Sequence, residues 1–206
     1  MIKNIVFDIG NVLVDFCWRD YLRPLCCSDE QFERVGKATA GGENWLEVDR
    51  GVLSDEELIA LCKSSAFPED ADVIDEFFRH VENTVEVFDY AAEWIREMKR
   101  RGFSVYLLSN YGHISFPKTA YKFDFLAHVD GKIISYEYKT LKPERKIFSI
   151  LEETYRILPE ESIFIDDSPA NASAAAKYGY HAIEFHGYDE ARRRMEEIID
   201  AEKTGV

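Results

Sequence analysis

Beyond residue 88 the chain alternates helical and strand patterns, the signature of stacked βα units on a parallel sheet. The periodicity predicts a helix from about Phe88 to Arg101, stopped by Gly102, and then the strand Phe103–Ser109. A helix near Lys118 to Ala127 and a short strand around Lys132 to Ser135 follow. Pro143, directly after Lys142, suits the first turn of a helix over Glu144 to Tyr155. The run Ser162–Asp167 reads as a strand ending on acids. Behind it come an Ala-rich helix from Ala170 to Tyr178, the strand His181–Phe185 and a charged helix from Tyr188 to about Glu202. At the front of the chain, Asn4-Ile5-Val6-Phe7 suits a strand buried on both faces. It stops on Asp8, and Gly10 and Asn11 tolerate the backbone angles of a tight turn.

Between Asp15 and about Phe88 the pattern changes: apolar positions recur at helical spacing and no convincing parallel strand is found. Ser54-Asp55-Glu56-Glu57-Leu58 has the cap-plus-acid start of a helix that continues through Cys62, while Gly41-Gly42 and Arg50-Gly51 mark turns. Residues 16–88 therefore read as a small helical module, a cap, inserted into a core built from residues 1–15 and 89–206. The expected fold class is α/β, a Rossmann-like three-layer sandwich with a parallel sheet plus the inserted helical cap domain. At 206 residues the chain can bury a substantial core.

A hydrophobic share of 46% and a charged share of 31% belong to a folded globular chain without a spanning segment. Met1 leads almost directly into the first strand with no secretory pattern, so a cytoplasmic location is expected. The net charge of −14 argues against nucleic acid as a partner, because phosphate-backbone binders need clustered Lys and Arg. No membrane and no obligate protein partner is indicated. An anionic substrate must then be small and met by a local positive site, either a metal ion or one aimed Lys. Cys17, Cys26, Cys27 and Cys62 show no Cys-x-x-Cys spacing and are expected to be reduced, mostly buried thiols.

Four stations fall where strands end or where the following loop enters a helix: Asp8, Ser109-Asn110, Lys142 and Asp166-Asp167. In a parallel sheet these ends share one edge, where ligands of open α/β sheets bind. The set is chemically complementary: a carboxylate to attack, a hydroxyl and an amide for phosphate oxygens, a Lys to neutralise them, and acids for Mg²⁺.

The order and spacing of F-D-I-G-N-V-L-V-D, L-L-S-N, L-K-P-E and F-I-D-D-S-P-A-N resemble the haloacid dehalogenase superfamily across the whole chain. The subgroup containing bacterial α-D-glucose-1-phosphatase is most similar, and the phosphatase domain of soluble epoxide hydrolase is more distant. The resemblance implies a Mg²⁺-dependent phosphatase acting on a small phosphomonoester, a sugar phosphate such as glucose 1-phosphate. Asp8 would be the nucleophile and form an aspartyl phosphate. Mg²⁺ would be held by Asp8, the Gly10 carbonyl and Asp167. Ser109 and the Asn110 region would bind phosphoryl oxygens, Lys142 would pair with phosphate and Asp8, and Asp166 and Asn171 would support the acidic loop. Asn171 also has an obvious capping role at the start of its helix.

The chain departs from this pattern at Gly10, where most phosphatases of the superfamily carry a second Asp as general acid and base. A missing acid/base costs about 10² to 10⁴ in rate. The similar subgroup shares the Gly-Asn pair. Glu47 and Asp15 are the candidates for supplying the proton instead, with solvated surface acids as the ordinary alternative. In the cap, Arg50 and Trp45 are candidates for substrate specificity, and Tyr111 and His113 for lining the pocket. Two other functions compete. A 2-haloacid dehalogenase would use an Asp nucleophile without metal, but Asp166-Asp167 argues against it, since clustered acids repel without a cation. A non-catalytic sugar-phosphate binding protein is motivated by Gly10.

Overall fold

The computed structural model describes residues 1–204. The chain opens with β1 (Asn4–Phe7) and β2 (Val14–Asp15), then runs through α1 (Trp18–Leu22), α2 (Asp29–Ala38), α3 (Asn44–Arg50), α4 (Asp55–Ser64) and α5 (Ala71–Arg79) to β3 (Glu86–Val87). There follow α6 (Ala91–Arg100), β4 (Ser104–Ser109), α7 (Phe116–Thr119), β5 (Gly131–Ile134), α8 (Ser135–Tyr138) and α9 (Arg145–Tyr155). The chain continues through β6 (Ser162–Asp166), α10 (Pro169–Lys177), β7 (His181–Glu184) and α11 (Tyr188–Thr204).

Five strands pair in parallel in the order β5-β4-β1-β6-β7. Side chains alternate across this sheet. Ile5, Phe7, Val105, Leu107, Ile163 and Ile165 pack with Trp94 and Met98 of α6 and Met195 of α11. Val6, Tyr106, Leu108 and Phe164 pack on the other side, with Ile147, Phe148 and Leu151 of α9 and Ala175 of α10. The result is an α/β sandwich of three layers in which β1, β4 and β6 are buried on both faces, as their apolar runs require.

Residues 18–79 form five helices with a hydrophobic cluster of their own, in which Trp18, Leu22, Val35, Leu58 and Phe77 meet. The start of α4 is closed by a capping box between Ser54 and Glu57. Where the chain leaves and re-enters the core, β2 and β3 pair antiparallel, with Val14 opposite Val87 and Asp15 opposite Glu86. This two-residue ribbon is too short to leave a periodic signal in the sequence.

Three expectations need correction. The helix foreseen over residues 118–127 is instead α7 followed by 3₁₀ turns at Ala120–Lys122 and Asp124–His128. Phe123 and Phe125 both enter the core and stack at 5.2 Å, and residues two apart cannot share one helix face; the backbone accordingly breaks at Phe123, with ψ 74°. Pro143 does not occupy the first turn of a helix. Lys142 and Pro143, joined by a cis peptide, form a turn ahead of α9. Of the four free cysteines only Cys62 is buried; Cys17 and Cys26 are half-buried and Cys27 is exposed. Among the described residues, no helix is long and apolar enough to cross a membrane.

Candidate active site

The register of the central strands brings the sequence-distant stations together. Phe7 lies opposite Leu107 of β4 and Ile165 of β6, so Asp8, Ser109 and Asp166 all emerge at the carboxyl edge of the sheet. The Asp8 amide donates to Ile165 O at 2.9 Å, which extends the ladder up to Asp8. Beyond it, Asn11 adopts a left-handed conformation (φ 52°) and turns its amide back toward the acids.

Lys142 reaches into this edge from the loop before α9 and is fully buried. Its Nζ lies 2.9 Å from Asp8 Oδ1 and 2.6 Å from Asp166 Oδ2. Burial alone would weaken the ammonium, but Asp166 and Asp8 outweigh it and raise the Lys142 pKa, so the side chain stays charged. Its main chain is gripped by Asn110: Asn110 Nδ2 donates to Lys142 O at 3.0 Å, and Lys142 N donates to Asn110 Oδ1 at 2.8 Å. The Asn110 side chain, expected to meet phosphate, is thus committed to holding Lys142 in place.

Asp166 is held on all sides. Besides Lys142, it accepts from Ser168 N at 2.9 Å and from Asn171 Nδ2 at 3.0 and 3.2 Å. The cap of α10 is Ser168, which leaves the Asn171 side chain free for Asp166. Asp167, more open, accepts from Asn11 Nδ2 at 2.8 Å. Ser109 Oγ is buried and has no hydrogen-bond partner among the described residues; an unmet hydroxyl of this kind is an unsatisfied cost unless a ligand oxygen meets it.

One oxygen from each of Asp8, Asp166 and Asp167 lies within 4.8 Å of the others. Burial first, then the charges of Asp166 and Asp167, pushes Asp8 up to about 7 despite Lys142. Burial also raises Asp167, against the Asn11 hydrogen bond. Three hard oxygen donors whose negative charge one lysine only partly balances fit a small divalent cation. Both Asp166 oxygens are taken by protein donors, whereas Asp8 and Asp167 each accept through one oxygen and keep the other for an ion.

A cavity of about 380 Å³ opens over this edge. Asp8, Gly10, Asn11, Lys142, Asp167 and Asn171 line its floor, and Phe16, Trp45, Leu46, Asp49, Thr84 and Val85 its opposite wall. Trp45 sits in the wall beside Phe16, ring centroids 5.4 Å apart, and Tyr111 also lines the space. Arg50 does not: it pairs with Glu144 at 2.9 Å and lies 3.9 Å from Glu47. His113 pairs with Asp55 at 2.7 Å instead of lining the cavity. Neither Glu47 nor Asp15 reaches the lining: Glu47 is half-buried and Asp15 exposed. The sequence reading overlooked Asn11 as an acid-loop partner and Asp49 altogether. Asn11 carried a signal in its turn position, whereas Asp49 sits among ordinary helix residues.

The sequence matches haloacid dehalogenase-like hydrolases across residues 2–179. The chain belongs to this hydrolase family. Over its whole length it is similar to D-ribitol-5-phosphate phosphatase of Bacteroides thetaiotaomicron, at 26% identity over 221 aligned residues, 98% of this chain and all of that protein. A haloacid dehalogenase family enzyme from the same organism superposes with a TM-score of 0.71 at 23% identity, covering 91% of this chain and 96% of that one. Its wild-type complex with magnesium and inorganic phosphate superposes at 0.67 and 24% identity, covering 87% and 92%. At these identities the superpositions show a shared fold.

Proposed function

We propose that this member of the family is a Mg²⁺-dependent phosphatase that hydrolyses a small phosphomonoester through an aspartyl phosphate on Asp8. The observation that carries the reading is the meeting of Asp8, Lys142 and Asp167 at one edge under a cavity of about 380 Å³, a volume suited to a small molecule. Asp8, Asp167 and the Gly10 carbonyl would hold the ion. When bound, Mg²⁺ supplies positive charge that lets carboxylates and phosphate share the site.

In this reading the Asp8 carboxylate attacks phosphorus while Lys142, ion-paired to it, neutralises a phosphoryl oxygen. The unpartnered Ser109 hydroxyl donates to another. Asn110 acts by fixing Lys142, and Asn171 and Ser168 by fixing Asp166. Water then cleaves the aspartyl phosphate. Residues 1–15 and 89–206 are the catalytic core, and residues 16–88 the cap that closes over it and excludes water.

For the substrate we propose a sugar or polyol phosphate. The full-length similarity to a D-ribitol-5-phosphate phosphatase supports an open-chain polyol phosphate at least as well as glucose 1-phosphate. The wall of Phe16, Trp45, Leu46 and Val85 would flank its carbon chain. The test is phosphate release from a panel headed by ribitol 5-phosphate and glucose 1-phosphate, with and without Mg²⁺. Release that needs both Mg²⁺ and Asp8 is expected. Metal-independent release, or full activity in Asp8→Asn, overturns the reading.

A further inference from the structure

Position 10 is glycine, so the loop after the nucleophile offers no proton donor or acceptor. A Cβ there would meet nothing within 4 Å, so the space at Gly10 is open. Among the described residues lining that space, Asp49 is the one carboxyl group besides Asp8 and Asp167, and it comes from the opposite wall.

Asp49 is buried near the end of α3, with 8% of its surface exposed. Its contact with the core runs through its main chain: Ser135 Oγ donates to Asp49 O at 2.6 Å. No protein donor meets the carboxyl group among the described residues, which leaves it for the cavity. The turn that carries it is fastened on both sides. Val48 presses on Gly112, where a Cβ would lie 2.4 Å from Val48 Cγ1. Gly51, left-handed at φ 65°, ends α3 against Tyr136, and Lys139 Nζ donates to Gly51 O. Such anchoring fixes a side chain without a hydrogen bond of its own. The charged groups acting on it are Asp8 and Lys142, and it acts in turn on the Tyr111 hydroxyl. Burial, reinforced by Asp8 and opposed by Lys142, pushes its carboxyl up to about 8, so it carries a proton at neutral pH.

We propose that Asp49 is the general acid and base of this site, supplied by the inserted helices in place of the residue absent at position 10. The proposal rests on the aspartyl-phosphate reading. In the first half-reaction an Asp8 oxygen bonds to phosphorus, the bond from phosphorus to the leaving oxygen breaks, and Asp49 gives that oxygen its proton to release an alcohol. In the second, a water oxygen bonds to phosphorus, its proton passes to the Asp49 carboxylate, and the bond from phosphorus to Asp8 breaks. Inorganic phosphate leaves, and both carboxyl groups regain their starting states.

A leaving-group comparison tests this. Asp49→Asn, with Mg²⁺ present, is assayed on ribitol 5-phosphate, whose alkoxide needs a proton, and on 2,4-dinitrophenyl phosphate, whose phenolate does not. The expected result on the alkyl ester is a kcat lower by about 10² to 10⁴ with KM little changed. On the aryl ester, the variant keeps a first-turnover burst of phenolate, and the trapped phosphoryl group adds its mass to the intact protein, an addition that Asp8→Asn lacks. Asp49→Ser, judged folded by its melting curve, should repeat the pattern. Wild-type kcat on the alkyl ester, loss of the aryl burst, or a change confined to KM on both esters overturns the role of Asp49 alone, provided the wild-type protein is active and Asp8→Asn is dead. A wild-type protein that releases no phosphate from either ester overturns the phosphatase reading and this proposal with it.

Discussion

Asn110 and Lys142 form a closed two-bond pair in which one side-chain amide holds both the N–H and the carbonyl of the lysine's own peptide units. The lysine's ammonium is thereby aimed at Asp8 and Asp166 by a residue 32 positions earlier in the chain, at the mouth of the neighbouring strand. Two bonds from one rigid amide fix both the position and the rotation of that turn.

Asn110→Ala should therefore behave as a misplaced lysine. We expect kcat on the best phosphomonoester to fall about 10²-fold, the cost typical of an error near 1 Å in a reacting group, with a smaller change in KM. Steady-state kinetics check this. A rise in KM alone would instead assign Asn110 to substrate binding.

Lys142→Met removes the cation between two buried carboxylates. Breaking a buried ion pair by deleting one partner costs about 3–5 kcal/mol, because the remaining charge is left unpaired. Urea unfolding should show a loss of that order. Adding Asp166→Asn should recover part of it, since the two substitutions share one network.

Removing or adding the metal should register in stability as well as activity. Asp8 and Asp167 repel each other in the free protein, so millimolar Mg²⁺ is expected to raise Tm by mass action. In Asp167→Asn the rise should be largely lost, even though the Asn11 contact can be kept. An equal Tm response in the two proteins would place the ion elsewhere.

Asp49 gives the metal-free protein a signed pH dependence. Its carboxyl lies at about 8 when folded against 3.8 as an ordinary aspartate. The folded state therefore binds the extra proton across that window, and stability falls as pH rises through it, by up to about 1.4 kcal/mol per pH unit. Asp49→Asn should flatten the fall by about one proton and be the more stable protein at the alkaline end. Melting curves across the window, without metal, measure it; parallel wild-type and variant slopes would contradict it.

Much of the core was legible because its signals are local. Apolar runs stopping on Asp8, Ser109 and Asp166 reveal buried strands, and a parallel sheet puts their ends together without further information. The capping box at Ser54 was legible for the same reason. What escaped depends on tertiary contact. Nothing in Val48-Asp49-Arg50 distinguishes the buried acid from its half-buried neighbour Glu47. The approach of Val48 to Gly112, the bond from Ser135 and the seating of Gly51 against Tyr136 turn Asp49 inward, while Arg50 pairs with Glu144. The broken helix after α7 follows likewise from two aromatics competing for one core, which no helical period can register.

The central claim is that Asp8 itself becomes phosphorylated. Protein quenched during turnover of a phosphomonoester with Mg²⁺, reduced with borohydride and digested, should yield a peptide carrying homoserine at position 8, because borohydride converts an aspartyl phosphate to that alcohol. Phosphate release with no such conversion at position 8, or with the label on another acid, would contradict the account.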